Sequence, residues 1–586
     1  MQKESSALLS SQTHEDPTKN SNPTKTTQIQ DPTPHNPKFY FSNKQMILDG
    51  NGFDKSLLIH LKTSKSANYI TCYEQNSSQS LQESQKVLQF QDRLTKLHSF
   101  LDARKSLENK HFLSTIQHLS SLSSLNLRFS GYYQQDKIPQ GTLLKSLASL
   151  KNIHHLEISF QRFKFIDPKM LKKLMKALRK STIISSLSLT LSRCDGLSSL
   201  HYQTLSSNMA KLIQLRTLKL NFNNLEKGPL DSDIQSFACI LPKLPLLTQV
   251  ELIFGSLKTI GKTAFRKLFR AFQSMKNLLG LTLNLPRCEL VTSFDDEPSI
   301  LECLKGLAGT SLQKLSLVLF RNFSNRHLRE LSEALKELTL LKSLCLNFDW
   351  DFHIFDEPLV DFSSTLALLT SLTFLTLAFP STLANERSIQ SLSSALVCLQ
   401  NLVSFKLELK SSDQIQDLNL QILFKNLKAL RSLRYLDIKI PDQNKITDDS
   451  LGVLGESLKE LILLRNLSLN FSQTPLLTNK SIEAICSAIE GGHTDLFHLS
   501  LKFDTNRNIS VKVIQKLAET LKSLICLYSV EFDFGECLSI DEFGELLSVL
   551  GQLGNIQKIV LSIPFSEKNR VEVSRLEKIK DVTAYL

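Results

Sequence analysis

The chain has 586 residues, 41% apolar and 22% charged, a balance that suits a soluble globular protein and excludes a disordered or fibrous one. Its net charge of +12, from 69 Lys and Arg against 57 Asp and Glu, is mild for this length and does not require nucleic acid. No run of 18 apolar residues occurs, which argues against a membrane span.

In chain order, residues 1–37 come first. They are rich in Ser, Thr, Asn, Gln and Pro, lack Gly, and cannot bury enough apolar area to offset their ordering entropy. A disordered low-complexity tail is expected there. Residues 38–120 read as an N-terminal cap. Phe39-Tyr40-Phe41, Met46-Ile47-Leu48, Leu57-Leu58-Ile59 and Tyr69-Ile70 predict short strands. Leu94, Leu97 and Leu101, then Leu113, Ile116 and Leu119, fall at helical spacing.

From Leu122 one pattern recurs, L-x-x-L-x-L-x-Φ with Φ usually Phe. Leu122-Leu125-Leu127-Phe129 is the first copy and Leu215-Leu218-Leu220-Phe222 the fourth. Fifteen copies run to Ile556, with a mean period of 31 residues and steps of 29 to 34. Chance does not hold that register over such a length. Alternation within the motif predicts a strand with one buried face. A helical stripe follows, as in Leu328-Leu331-Leu335-Leu338 and Leu451-Leu454-Leu458-Leu461. Asp167-Pro168 and Thr447-Asp448-Asp449 supply helix-start chemistry. A single strand–loop–helix unit cannot bury its apolar side alone, so stacked copies are expected, with sheet on one side and helices on the other. Residues 566–586 read as a C-terminal cap.

Leu215-x-x-Leu218-x-Leu220-x-x-Asn223-x-Leu225 resembles the leucine-rich-repeat family at every defined position of its motif. The resemblance covers about residues 120–565, and the full helix in each repeat is most similar to the ribonuclease-inhibitor-like subclass. It implies an α/β horseshoe solenoid with a parallel sheet on the concave face and helices on the convex face. Two departures stand out. The period exceeds the family's usual 20–29 residues. The Asn is otherwise replaced (Ser130, Gln161, Ser192, Asp349), which puts a regular turn in doubt, while the preceding Phe, present in nine copies, is expected to extend the apolar spine.

Function is read from the surfaces such a solenoid exposes. The outward strand positions, Asn126 and Arg128 through Val560 and Ser562, hold five basic and six acidic residues. That mixed face spans about 70 Å at ~4.8 Å per strand. It suits a protein partner and lacks the phosphate-binding stripe nucleic acid needs. Two helices are strongly basic. One carries Lys172, Lys173 and Lys176, the other Arg266 and Arg270. Lying three repeats apart, they are expected about 30 Å from each other at ~10 Å per helix, too far to merge. Asp349-Trp350-Asp351, holding the only Trp among acids, is a candidate binding spot.

Gly255 and Gly261-Lys262-Thr263 look like a phosphate loop, but five residues separate the glycines where four are required, so the segment reads as a turn. The ten cysteines form no CxxC pair and read as free buried thiols, Cys239 and Cys398 among them. They suit a reducing compartment, and the polar N-terminus has no secretory signal, so a cytoplasmic location is expected. No catalytic constellation, metal cluster or cofactor motif stands out. The expected function is a non-catalytic protein-interaction scaffold. The family resemblance adds an enzyme regulator, such as an inhibitor or a small-GTPase activator. The basic helices add a subunit of a ribonucleoprotein or cytoskeletal assembly.

Overall fold

The structure is a computed structural model. It describes residues 40–42, 45–48, 69–72, 95–102, 106–131 and 581–585. Between 138 and 562 it describes all but 164–165, 181–182, 195–196, 226–227, 256–258, 286–288, 292–301, 319–323, 349–355, 380–385, 410–414, 536–547 and residues 491, 511, 549 and 554. The tail expected over 1–37 and the Leu57-Leu58-Ile59 strand lie outside the described residues. Pro37–Leu586 forms one compact unit.

Among the described residues one sheet holds 20 strands. Each L-x-x-L-x-L core forms a strand, such as Ser124–Ser130, His155–Gln161 and Ser186–Ser192, and pairs in parallel with the equivalent strand of the next repeat. Equivalent motif residues face each other throughout: Leu125, Leu156, Leu187, Leu218 and Val250 make one ladder. Between most successive strands of the repeats the described chain returns through a helix, such as Pro168–Lys180, Asn325–Lys336 or Asp448–Lys459. The predicted stripes face inward, with Leu328, Leu331, Leu335, Leu451, Leu454, Leu458 and Leu461 all buried. The fold is therefore a leucine-rich α/β solenoid with a parallel sheet on one side and helices on the other. Strands repeat every ~4.8 Å and packed helices every ~10 Å, so the sheet takes the inner side of the curve.

The Phe positions form the expected spine. Phe129 and Phe160 stack at 5.5 Å, Phe222 and Phe254 at 5.8 Å, Phe348 and Phe379 at 5.4 Å, and Phe503 and Phe534 at 6.3 Å. All eight are buried. The following turn is more regular than the missing Asn suggested. Arg162, Arg193, Asn224, Asp442, Gln473 and Thr505 occupy one equivalent position, and all six have φ between 55° and 61°. The backbone explains this. Arg162 N–H donates to Ser192 O at 3.0 Å, Asp442 N–H to Ser472 O at 2.8 Å and Gln473 N–H to Asp504 O at 2.8 Å. The inter-repeat ladder continues past the strand, so those groups are satisfied without a capping Asn.

Two expectations are corrected. Leu97 and Leu101 lie in strand Lys96–Asp102, not a helix, and pair with Leu125 and Phe129. Their spacing fits both periods, and Ser99, buried in the slot that Leu127 fills next door, hides the motif. The parallel ladder runs further back, through Tyr69–Cys72 to Gln45–Leu48, which closes a hairpin with Tyr40–Ser42. At the other end Asp581–Tyr585 pairs in parallel with Lys558–Ser562. Cys239 and Cys398 are exposed rather than buried: both lie near helix C-termini on the outer arc, beside the inward Ala238 and Leu396. Cys194 and Cys486 are buried.

Candidate functional site

The sheet face carries three rows of outward positions, not two. The middle row runs Lys406, Asp437, Ser468, Ser500, Glu531, and the next Glu408, Lys439, Asn470, Lys502, Asp533. A third row stands at the start of the strands: Phe374, Ser404, Tyr435, Asn466, His498, Ser529.

Among the described residues four ion pairs bridge neighbouring strands on this face. Arg128 pairs with Glu157 at 3.5 Å, Lys219 with Glu251 at 2.8 Å, Lys406 with Asp437 at 3.0 Å and Lys502 with Glu531 at 2.6 Å. Burial works against the Glu531 carboxylate, but Lys502 and the Ser500 hydroxyl outweigh it and hold its pKa below the ordinary value. Burial raises Asp533 instead, reinforced by Asp504. Face histidines respond to the same desolvation: the pKa of His498 and that of His98 are lowered, each first by burial. A face wired this way offers shape and hydrogen bonds rather than a field.

The sequence-derived candidates are not brought together. Lys172, Lys173 and Lys176 are exposed on helix Pro168–Lys180. Arg266 is half-buried and Arg270 exposed on helix Lys262–Ser274. Helices Ser199–Met209 and Asp231–Ile240 pack between them, so the two basic surfaces stay separate. Asp349, Trp350 and Asp351 lie outside the described residues. Gly261 N-caps its helix and its N–H donates to Asp231 Oδ1 at 2.9 Å, which leaves that amide no phosphate to bind.

What sequence reading missed is the rim where the chain enters its strands. The residue after the first motif Leu is Arg434, Arg465, Phe497 and Tyr528 in four successive repeats. Phe497 and Tyr528 stack with centroids 4.7 Å apart and planes 7° apart. Exposed Ile462, Leu463 and Ile525 sit on the turns leading into the same strands. The signal was available, since these residues share one motif position, but only the register shows that they are neighbours.

Among the described residues no three His, Cys, Asp or Glu side chains converge to hold a metal ion, and no helix is long and apolar enough to cross a membrane. No protein-family model matches the chain, and no curated protein does. Among solved structures it is similar to one described as the crystal structure of the Rad7 and Elc1 complex in yeast. The TM-score is 0.37 and the identity 16%, over 68% of this chain and 88% of that one.

Proposed function

We propose that this chain is a non-catalytic scaffold that binds a protein partner along the sheet face of its solenoid. The observation that carries the reading is the face itself: three rows of mostly polar side chains, four of whose charge pairs bridge neighbouring strands. Such a surface discriminates by shape and hydrogen bonding, as protein interfaces do, and lacks the run of free cations that phosphate recognition requires. The full helix in most described repeats supports the ribonuclease-inhibitor-like subclass. The free cysteines support a reducing, cytoplasmic setting.

The test is affinity purification with the full chain and with a variant carrying Thr376→Arg, Lys439→Glu and Asn470→Arg on the face. A partner captured by the first and lost by the second is expected. Recovery of no specific partner, or of one indifferent to the variant, would overturn the reading. An enzyme regulator would use the same face, and stimulated hydrolysis by a small GTPase would identify that form. A second reading has its own support in Lys172, Lys173 and Lys176, which are exposed and form no ion pair among the described residues. It makes the chain a subunit of a ribonucleoprotein or cytoskeletal assembly. Salt-sensitive RNA binding abolished by neutralising those three lysines would favour the ribonucleoprotein form.

A further inference from the structure

We propose that the strand-leading rim built by Arg434, Arg465, Phe497 and Tyr528 docks an acidic peptide segment carrying an apolar anchor. The proposal rests on the scaffold reading and gives it a location and a ligand chemistry.

The four residues are neighbours by backbone register. Arg465 N–H donates to Arg434 O at 2.8 Å, Phe497 N–H to Arg465 O at 2.7 Å and Tyr528 N–H to Phe497 O at 2.9 Å. They therefore stand on consecutive strands, ~4.8 Å apart.

The repeat itself shows what this position does when it serves only the fold. In four other repeats it holds a small hydroxyl that caps the neighbouring strand, and in the rest it holds His154, Arg216, Leu279, Gln313, Lys342, Val403 or Gln557. Ser123 Oγ donates to Thr95 O at 3.1 Å and Ser185 Oγ to His154 O at 3.2 Å. Thr248 Oγ1 donates to Arg216 O at 3.1 Å and Thr373 Oγ1 to Lys342 O at 3.0 Å. Arg434, Arg465, Phe497 and Tyr528 give that bond up. The turn positions behave alike. Ile462 and Ile525, 61% and 64% exposed, stand where other repeats place Ser120, Lys151, Thr339 or Gln400, and where one repeat outside the rim places the similarly exposed Ile213. With Leu463 and half-exposed Phe497 they form an apolar surface that the core does not use.

Charge points to the occupant. Four cations on the sheet face, Arg128, Lys219, Lys406 and Lys502, are paired with carboxylates on the neighbouring strand. Arg434 and Arg465 are exposed, adjacent and form no ion pair among the described residues. The nearby Glu460 faces Arg431 at 3.9 Å, and the other rim carboxylate, Asp495, pairs with neither. Like charges on adjacent strands oppose folding, so a carboxylate from outside relieves a cost the fold carries alone. Guanidinium groups take carboxylates in bidentate geometry, and aromatic rings beside them make the composition of an interface hot spot. From the Arg pair to the stacked rings is two strand steps, about 10 Å, or roughly three residues of extended peptide.

The experiment pans a displayed library of random peptides on the immobilised full chain. Enriched peptides are expected to place Asp or Glu about three positions from Leu, Ile, Phe or Trp. Arg434→Glu with Arg465→Glu should weaken a synthetic enriched peptide by at least about tenfold, and Phe497→Ala by a similar factor. Lys172→Glu with Lys173→Glu and Lys176→Glu should leave it unchanged, and thermal melts confirm that each variant folds. No enrichment, enrichment without acids, or binding indifferent to the rim variants overturns the proposal. A natural partner lost on the sheet-face variant but kept on the rim variants sinks the rim while leaving the scaffold standing.

Discussion

The Asp448 carboxylate reaches one repeat forward to Thr478: Oδ1 accepts the Thr478 backbone N–H at 2.9 Å and Oδ2 accepts its hydroxyl at 2.6 Å. The Ser481 hydroxyl donates to the same carboxylate. Asp417 holds Thr447 N–H at 2.8 Å, Asp231 holds Gly261 N–H at 2.9 Å and Asn479 holds Ser510 N–H at 2.8 Å. A residue in the first turn of one helix thus caps the start of the next, so helix-start chemistry also joins repeats.

Asp448→Ala should lower stability at neutral pH by about 1–3 kcal/mol, because a backbone N–H and two hydroxyls lose their acceptor. Burial opposes ionisation here, but the bonds from Ser481 and Thr478 outweigh it and hold the pKa below the ordinary 3.8. A depressed carboxylate stabilises the fold above its unfolded pKa, and that contribution is lost as pH falls through the folded value. Urea melts should therefore separate the variant from the parent at pH 7 and narrow the gap progressively as pH falls below 3.8. An undiminished gap at low pH would refute the carboxylate's role.

Phe471 tests the spine. It is fully buried, with ring contacts to Phe424 at 6.3 Å and Phe503 at 6.0 Å. Phe471→Ala should cost about 3–5 kcal/mol. Phe471→Leu should cost far less, since Leu191, Leu285 and Leu409 fill the same slot. In a solenoid the damage stays near its source. Hydrogen exchange should show lost protection in Tyr435–Lys439 and His498–Lys502 and none in Ser124–Ser130. Uniform loss along the chain would contradict nearest-neighbour coupling.

His327 predicts a second pH dependence. Its Nδ1 accepts the Ser324 backbone N–H at 3.0 Å and lies 2.8 Å from the Ser324 hydroxyl, closing a capping box at the start of Asn325–Lys336. Burial, with a smaller push from Arg326, lowers its pKa to about 4. The neutral ring is the one that caps. Its stabilisation is complete above the unfolded pKa of 6.5 and is lost as pH falls from there towards 4. His327→Gln keeps a capping-box acceptor without a titrating group. The variant's stability should fall less than the parent's across that window, as followed by thermal melts at stepped pH.

Much of this was legible in the sequence because Leu and Phe fill buried slots at a fixed period. The reading faltered where a slot holds something else. Ser99 conceals the strand beginning at Lys96, and helical periodicity turns Cys239 and Cys398 outward despite apolar neighbours. The basic helices were visible as charge runs, and their separation followed from repeat spacing. The rim was harder. Arg434, Arg465, Phe497 and Tyr528 are spaced by about one period, and the motif leaves their position undefined, so nothing local marks them as a group. The capping boxes at Ser198–His201 and Ser324–His327 were missed because the third residue is His rather than Glu or Gln.

Gln473 makes the last prediction. Its φ of 59° places a side chain where L-residues carry a cost of about 1–2 kcal/mol, and its N–H is committed to Asp504 O at 2.8 Å. Glycine relieves the strain without touching the bond, but it also widens the unfolded ensemble, by up to about 1 kcal/mol. Gln473→Gly should therefore be neutral or stabilising by up to ~1 kcal/mol. Gln473→Val should destabilise, because a β-branched residue tolerates this region worst. Gln473→Pro should destabilise further, since it forbids the positive φ and removes the donor. Denaturant midpoints of the three variants give the order. Valine as stable as glycine would mean that the turn relaxes freely, and that the ladder beyond the strand does not hold it.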